Sequence, residues 1–368
     1  MKLLECSRDE LLSPLQTVSG IVERRHTLPI LSNVLLERAA GSILLVATDL
    51  EIQICSRAQI AVANAAAPFT TSARKLQDIL RALPADAKVS LESNAARLQL
   101  KSGRSQFTLQ TLPAEDFPRL AANTELVAEI ELPQSRLRDL LLLVQYSMAQ
   151  QDIRYYLNGL LLALEGNELR VVATDGHRLA FATTALSTDA PRHEVVLPRK
   201  SVIELCKLLA DDEAPVKIGL LGNQVRFNFG GVELVTKIID GKFPDYARVI
   251  PTNHQNKITI DRMVLLQALQ RTAILSNDKF RGVRWVLTEN SLRVSCTNNE
   301  QEEAQEELEI AYTGDALDIG FNVNYLLEVL NALPGASVSC AFGDASSSVL
   351  MTDPGIDYFK YVIMPMRI

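Results

Sequence analysis

Thr174-Asp175-Gly176-His177-Arg178 is the stretch of this 368-residue chain whose residue types and spacing could do chemistry. An aspartate two positions before a histidine suits general acid–base work, because a carboxylate can orient an imidazole and tune its proton affinity. Tyr155 and Tyr156 are near it in sequence. A hydrolase built on Asp175 and His177 is therefore one reading. No nucleophile is set against the pair, however, and paired acids are absent. The chain also carries no P-loop, no GxGxxG after a strand, no GxSxG and no HExxH. The two other readings are a plain polar turn with a satisfied histidine and a rim of donors beside an apolar pocket.

The elements that must hold this turn lie in residues 154–179, which read as strand, turn, strand, turn. Leu160, Leu161, Leu162, Ala163 and Leu164 form one apolar run. Gly166-Asn167 is turn chemistry, and Leu169, Val171, Val172 and Ala173 make a second strand. The stretch has weaker copies on either side. Residues 43–52 read ILLVATDLEI, 167–179 read NELRVVATDGHRL and 290–301 read NSLRVSCTNNEQ. The shared threonine falls at Thr48, Thr174 and Thr297, about 125 residues apart.

Other landmarks keep the same period. Apolar residues recur at helical spacing in 71–84, 197–209 and 321–334, and an amphipathic helix opens each unit at 7–22, 133–149 and 260–276. Ser7, Pro133 and Asp261 are its start signals. DFPRL at 116–120 answers KFPDY at 242–246. Landmarks repeating in one order and one spacing imply three tandem domains: 1–126, 127–252 and 253–368. The joins are polar, at 121–128 and 251–257. Helix, strands, helix, strands in each unit predicts an α+β class with antiparallel sheets.

Composition fits an ordinary globular chain, with 47% hydrophobic and 22% charged residues. Asp9 and Glu10 come too early for a signal peptide, and no apolar run reaches the roughly 18 residues of a membrane span. Five scattered cysteines without a CxxC, and four scattered histidines, point to reduced thiols in a cytoplasm and to neither a metal site nor a cofactor.

The net charge of −7 argues against nucleic-acid binding through the whole surface, but its distribution matters more. The six helical stretches hold thirteen basic and eight acidic residues, a net of +5 that leaves −12 for everything else. Helices gathered on one surface would attract phosphates without reading bases. Without aromatic interleaving, that surface does not suit a stacking single-strand binder.

Three units in a row also leave two unlike ends. Arg97, Lys101, Arg104 and Phe107 mark the first. Glu300, Glu302, Glu303, Glu306, Glu307 and Glu309 mark the third, beside Ile274 and Leu275. Identical chains can join such ends head-to-tail into a closed ring, with opposite charge giving orientation and apolar residues giving buried area.

RYYLNGLLL, VATDGHRLA, ILSNDKFRGVR, IDGKFPDY, GFNVNYLLEVLNAL and the terminal YVIMPMRI resemble the β sliding clamps of bacterial DNA polymerase III holoenzyme, as do LPILSNVLL and LPAEDFPRL in the first unit. The resemblance covers essentially the whole length. It implies a clamp fold in which two three-domain chains close head-to-tail into a ring, helices inside and sheets outside, around duplex DNA. It implies tethering of the polymerase and no catalysis.

By the same resemblance, Arg25, Arg74, Gln151, Tyr155, Arg199, Lys200, Arg281 and Arg284 match positions of DNA contact. A partner pocket between the second and third domains takes a short peptide ending in leucine and phenylalanine-like side chains. Its matching positions are Arg154, Tyr156, Leu157, Thr174, Gly176, His177, Arg178, Leu179, Pro244, Arg248 and Val249, with Asn322, Tyr325, Ser348, Val362, Met364, Pro365, Met366 and Arg367. In that reading the leucines, valines and methionines make an adaptable slot, while Arg154, His177 and Arg178 hold the peptide's polar groups. The implied partners are the polymerase III alpha subunit, the clamp loader delta subunit, other polymerases and mismatch-repair proteins with a clamp-binding motif. Lys75 joins the ring interface. Gln106, where the family often has a basic residue, and Gln305, within the acidic run, soften the charge pairing there.

A repeat-built interaction scaffold without DNA is the alternative. The charge sorted onto the helices speaks against it.

Overall fold

The structure, a computed structural model, describes residues 2–23, 28–39, 41–60, 67–94, 97–121 and 125–367. Six α-helices occur among them: α1 (Arg8–Ser19), α2 (Ala73–Ala82), α3 (Gln134–Val144), α4 (Arg199–Leu208), α5 (Arg262–Ala273) and α6 (Val323–Ala332). All six lie within the stretches predicted from apolar spacing.

Each helix begins where a strand ends, and side-chain caps explain the switch. Ser7 and Glu10 form a reciprocal capping box at α1, with the Ser7 amide donating to Glu10 Oε2 at 2.7 Å. Ser72 caps α2 by accepting from the Lys75 amide at 3.4 Å. Asp261 accepts from the Val264 amide at 2.9 Å to start α5, and Asn322 from the Asn324 amide at 3.0 Å to start α6. α3 and α4 instead follow Pro133 and Pro198, which end strands Ala128–Pro133 and Arg178–Pro198.

The apolar stripe of each helix is buried and most of its charges are turned outward, Glu204 of α4 being a buried exception. In α2, Ala73, Leu76 and Leu80 are buried while Arg74, Lys75 and Arg81 are exposed. The helix limits correct the charge count. Glu23 lies beyond α1 and Asp261 is a cap, while Arg24 and Arg25 fall outside the described residues. Eleven basic and six acidic residues remain on the helices, so the net of +5 stands.

The chain forms two compact units, Met1–Leu137 with Ile203–Ile238, and Arg138–Val202 with Ile239–Ile368. The first is built on a 12-stranded sheet, with α1 packed on α2. The second holds a 6-stranded and a 4-stranded sheet, with α5 packed on α6. The strand ladders are antiparallel, as expected from the element order.

Gly166-Asn167 reverses the chain inside the element Gly159–Thr174, which pairs with Arg178–Pro198 in two stretches, 159–164 and 168–174. Gly166 takes φ +60, and Arg170 Nη1 donates to Glu165 Oε2 at 3.0 Å. In one extended strand those two residues would stand roughly 17 Å apart on opposite faces. The flanking repeats turn at the same place, with Ala39 opposite Ser42 and Thr288 opposite Ser291. A second reversal follows Thr174.

Candidate docking site

The turn after Thr174 is a closed hydrogen-bonded unit. Thr174 Oγ1 donates to the Arg178 carbonyl at 2.6 Å and accepts from the Gly176 amide at 3.1 Å. Asp175 Oδ1 accepts from the His177 amide at 2.9 Å and the Arg178 amide at 3.0 Å. Gly176 has φ +89, which glycine adopts without a Cβ penalty.

The first repeat builds the same turn. Thr48 Oγ1 donates to the Ile52 carbonyl at 2.9 Å and accepts from the Leu50 amide at 3.1 Å. Asp49 Oδ1 accepts from the Glu51 and Ile52 amides at 3.0 and 2.8 Å. Leu50 sits at φ 78 in the place of Gly176. The main chain that follows also matches: the Met364 amide donates to the His177 carbonyl at 2.9 Å, and the Lys237 amide to the Glu51 carbonyl at 2.9 Å. In the third repeat the turn is longer, with Asn298 Oδ1 accepting from the Glu302 amide at 2.9 Å. The repeat therefore extends from letters to individual hydrogen bonds.

These bonds remove the hydrolase reading. Both oxygens of Asp175 are engaged, Oδ1 by two backbone amides and Oδ2 by Arg178 Nε at 3.1 Å. The carboxylate shapes the turn and does not orient an imidazole. Three of the thiols offer no nucleophile either, since burial pushes Cys6, Cys55 and Cys340 up to about 12. Among the described residues, no group of three or more His, Cys, Asp or Glu is placed to hold a metal.

Beside the turn opens a cavity of about 310 Å³. Eleven of the nineteen expected pocket residues line it: Arg154, Leu157, Thr174, Gly176, His177, Arg178, Leu179, Pro244, Val249, Val362 and Met364. Leu157, Leu179 and Val362 are buried, whereas Val249 and Met364 are nearly half exposed. Strand pairing puts Leu179 opposite Val362. Tyr246, which sequence reasoning missed, also lines the cavity, its ring centroid 5.9 Å from that of Phe181. The signal was present, because Tyr246 ends the repeated KFPDY.

The remaining eight expected residues do not line the cavity. Asn322 caps α6. The Ser348 carbonyl lies 2.8 Å from His254 Nε2. The Met366 amide donates to the Gly320 carbonyl at 2.8 Å, which anchors the end of the chain that carries Pro365 and Arg367. Arg248 is exposed and paired with Asp245 at 2.8 Å. Tyr156 packs edge-on to Tyr155, with ring centroids 6.0 Å apart. Tyr325 lies under Arg178.

Arg178 departs from its expected role. Its side chain is 7% exposed and bonded at each guanidinium nitrogen. Besides Asp175, it contacts the Glu328 carboxylate and donates to the Tyr146 carbonyl at 2.5 Å. Its guanidinium lies 4.2 Å from the Tyr325 ring centroid. Burial opposes its charge, but Tyr361, Glu328 and Asp175 outweigh that and hold its pKa above the ordinary arginine value. It is a strut tying the turn to α6, with each of its three guanidinium nitrogens held by a partner inside the protein. Arg154 is half exposed and forked onto Asp152, Nε to Oδ1 at 3.0 Å and Nη2 to Oδ2 at 2.9 Å. Those hydrogen bonds lower the Asp152 pKa to about 2.

The first repeat furnishes its copy of this backbone differently. Leu50 stands for Gly176, Gln53 for Leu179, and Glu51 is ion-paired with Lys237 at 3.1 Å. Bulk and charge replace the bare, apolar wall of the second copy.

Of the residues expected at DNA, Arg25 lies outside the described residues. Arg74 is exposed on α2, 3.7 Å from Asp78. Gln151, at φ 56, and Tyr155 are exposed on the loop that carries Arg154. Arg199 and Lys200 open α4, with Arg199 Nη1 donating to the Met148 carbonyl at 3.0 Å. Arg281 follows α5 and pairs with Asp278 at 3.0 Å. Arg284 is on strand Gly282–Thr288 and forks onto Asp318, its Nε 2.8 Å from Oδ1.

Of the residues expected at a ring interface, Lys75, Arg97 and Arg104 are exposed and Phe107 is half-buried. Strand Ser105–Leu112 pairs with Arg97–Ser102 but meets Phe69–Ser72 only at Thr111 and Leu112. Its other edge is thus unpaired over 105–109 among the described residues, the Gln110 carbonyl accepting from Thr71 Oγ1 at 3.2 Å. In the other unit, Glu303 and Glu306 are on Glu303–Glu309, the outermost strand of the 4-stranded sheet, and Glu300 and Glu302 precede it. Glu306 is forked by Arg271 at 2.7 and 2.8 Å. Ile274 is 77% exposed and Leu275 half-buried.

Repeated α+β units, helices of net positive charge and a small apolar pocket, with Thr174, Asp175 and Arg178 bonded inside the protein, suit docking better than catalysis. Comparison with known proteins narrows this. Family models for the N-terminal, central and C-terminal domains of the DNA polymerase III beta subunit match residues 1–121, 131–245 and 247–367. The chain is 45% identical to the beta sliding clamps of Salmonella typhimurium and of Escherichia coli K12, over 98% of each chain. It superimposes with a TM-score of 0.94 on the sliding clamp of Pseudomonas aeruginosa bound to griselimycin, at 44% identity over 100% of both chains. The Bartonella birtlesii clamp gives 0.94 at 34% identity, again over 100% of both.

The chain belongs to the DNA polymerase III beta subunit family, the bacterial sliding clamps. It has the clamp fold and serves DNA replication as a processivity factor rather than an enzyme. No helix of the described residues is long and apolar enough to cross a membrane.

Proposed function

We propose that two copies of this chain, each of three domains at 1–126, 127–252 and 253–368, close head-to-tail into a ring around duplex DNA in the cytoplasm, and that the pocket beside Gly176 tethers the replicative polymerase to it. The same pocket would receive the clamp loader delta subunit, other polymerases and mismatch-repair proteins in turn. The observation that carries this reading is the cavity itself. Its walls are largely apolar, and the side chains of Thr174, Asp175 and Arg178 are hydrogen-bonded inside the protein. Such a site accepts side chains such as leucine and phenylalanine and has nothing with which to attack them. A linear peptide makes a small interface, which lets partners exchange.

Two bare strand edges support the ring. One is Ser105–Leu112, flanked by Arg97, Lys101 and Arg104. The other is Glu303–Glu309, acidic and outermost. Edge-to-edge pairing with opposite charge would satisfy both and fix their orientation. The helix charge of +5 supports a DNA-facing surface of screened, sequence-blind contacts, which allow sliding. The same sorting disfavours a scaffold without DNA.

The test is truncation. Deleting residues 364–368 removes Met364 from the cavity wall and the Met366 contact to Gly320. A labelled polymerase-tail peptide should then lose measurable binding while the dimer persists in sedimentation. Unchanged peptide affinity would refute the pocket assignment.

A further inference from the structure

The segment that walls the docking cavity also walls a second one. This one is about 320 Å³ and shares Pro244 and Tyr246 with the first. Lys242, Phe243, Asp245 and Ala247 complete its near wall, and strands Gly159–Thr174 and Arg178–Pro198 supply the rest. Glu165 and Arg170, on either side of the Gly166-Asn167 turn, stand in the wall those strands supply.

The charges around it are almost all paired. Arg170 donates to Glu168 at 2.8 Å and to Glu165 at 3.0 Å. Arg192 lies 3.4 Å from Glu194 and 3.9 Å from Glu165. Asp245 is taken by Arg248 at 2.8 Å. Every carboxylate lining the cavity therefore has a cation. Lys242 is exposed and has no hydrogen bond or ion pair among the described residues. The one charge still seeking a partner is positive, and it lies on the segment that walls the docking cavity.

We infer that this second cavity is an extension of the docking site, and that it takes the acidic flank of the same partner segment whose apolar pair fills the first cavity. The inference rests on the docking reading above. A chain leaving the first cavity crosses Pro244 and Tyr246, and a carboxylate side chain then comes beside the Lys242 ammonium. The Tyr246 ring offers a flat apolar surface at the crossing. Partners with an acidic flank would bind more tightly than partners without one, and salt would narrow the difference.

The experiment uses the full chain and fluorescence polarisation. One probe is a labelled short peptide carrying only the leucine–phenylalanine pair. Two others carry Asp-Asp-Tyr added at one end or the other. One extended peptide should bind about two- to five-fold more tightly than the short one at low salt, the scale of a single exposed ion pair. Lys242→Glu should abolish that gain and leave the short peptide's affinity unchanged, while Lys242→Arg keeps it. No gain from either extension, or a gain that survives Lys242→Glu, would overturn the inference. Failure of the short peptide to bind would overturn the docking reading itself, and this inference with it.

Discussion

Gly176→Leu copies into the second repeat what the first repeat already carries at Leu50. The two turns share their hydrogen bonds, and Leu50 adopts φ 78 where Gly176 has φ +89. The backbone can therefore host the side chain, at a cost of about 1–2 kcal/mol for a left-handed L-residue. The larger effect falls on the cavity. A Cβ at 176 would lie 3.0 Å from Arg154 Nη2 and 3.2 Å from Nη1. Arg154 must yield, against its fork with Asp152, and the isobutyl group enters a space of about 310 Å³. If it displaces one leucine-sized side chain of the partner, the lost burial is about 1.5–3 kcal/mol. That is a rise in peptide Kd of roughly 10- to 150-fold. Polarisation with a tail peptide measures it, and a thermal melt checks that the variant is folded. Gly176→Ala should show a smaller loss. A folded Gly176→Leu protein with wild-type peptide affinity would refute the placement of the peptide against this wall.

At the proposed ring contact, Ile274→Ala with Leu275→Ala should raise the monomer fraction in sedimentation; an undisturbed dimer would locate the contact elsewhere. Because Asp152 titrates at about 2 in the folded chain, below its ordinary 3.8, its contribution is complete above about pH 4 and fades as pH falls toward 2. A carboxyl titration by NMR should show that depressed midpoint, and a midpoint near 4 would mean the fork to Arg154 is open in solution.

Much of the fold was readable because short-range chemistry announces it. The helices follow from apolar spacing, and Ser7 and Asp261 mark two of the starts. The Thr-Asp turn was readable as a repeat, and its hydrogen bonds are local, spanning four residues or fewer. Gly166-Asn167 was readable for the same reason, since turn residues between two apolar runs reverse the chain where the flanking repeats also turn. The role of Arg178 was hidden. Its partners are Tyr146, 32 residues before it, and Glu328, 150 residues after it. A buried cation satisfied at such separations looks, in sequence, the same as one offered to a ligand. Arg284 is a similar case, forked onto Asp318 from the adjacent strand.

The most direct measurement of the central claim is retention on DNA. The protein is loaded onto nicked circular and onto linear duplexes of equal length, and the bound fraction is followed through gel filtration at moderate salt. Enclosure by a ring predicts lasting retention on the circle and rapid loss from the open ends of the linear molecule. Equal retention on both would mean that the chain holds DNA by surface contact, and would contradict the account.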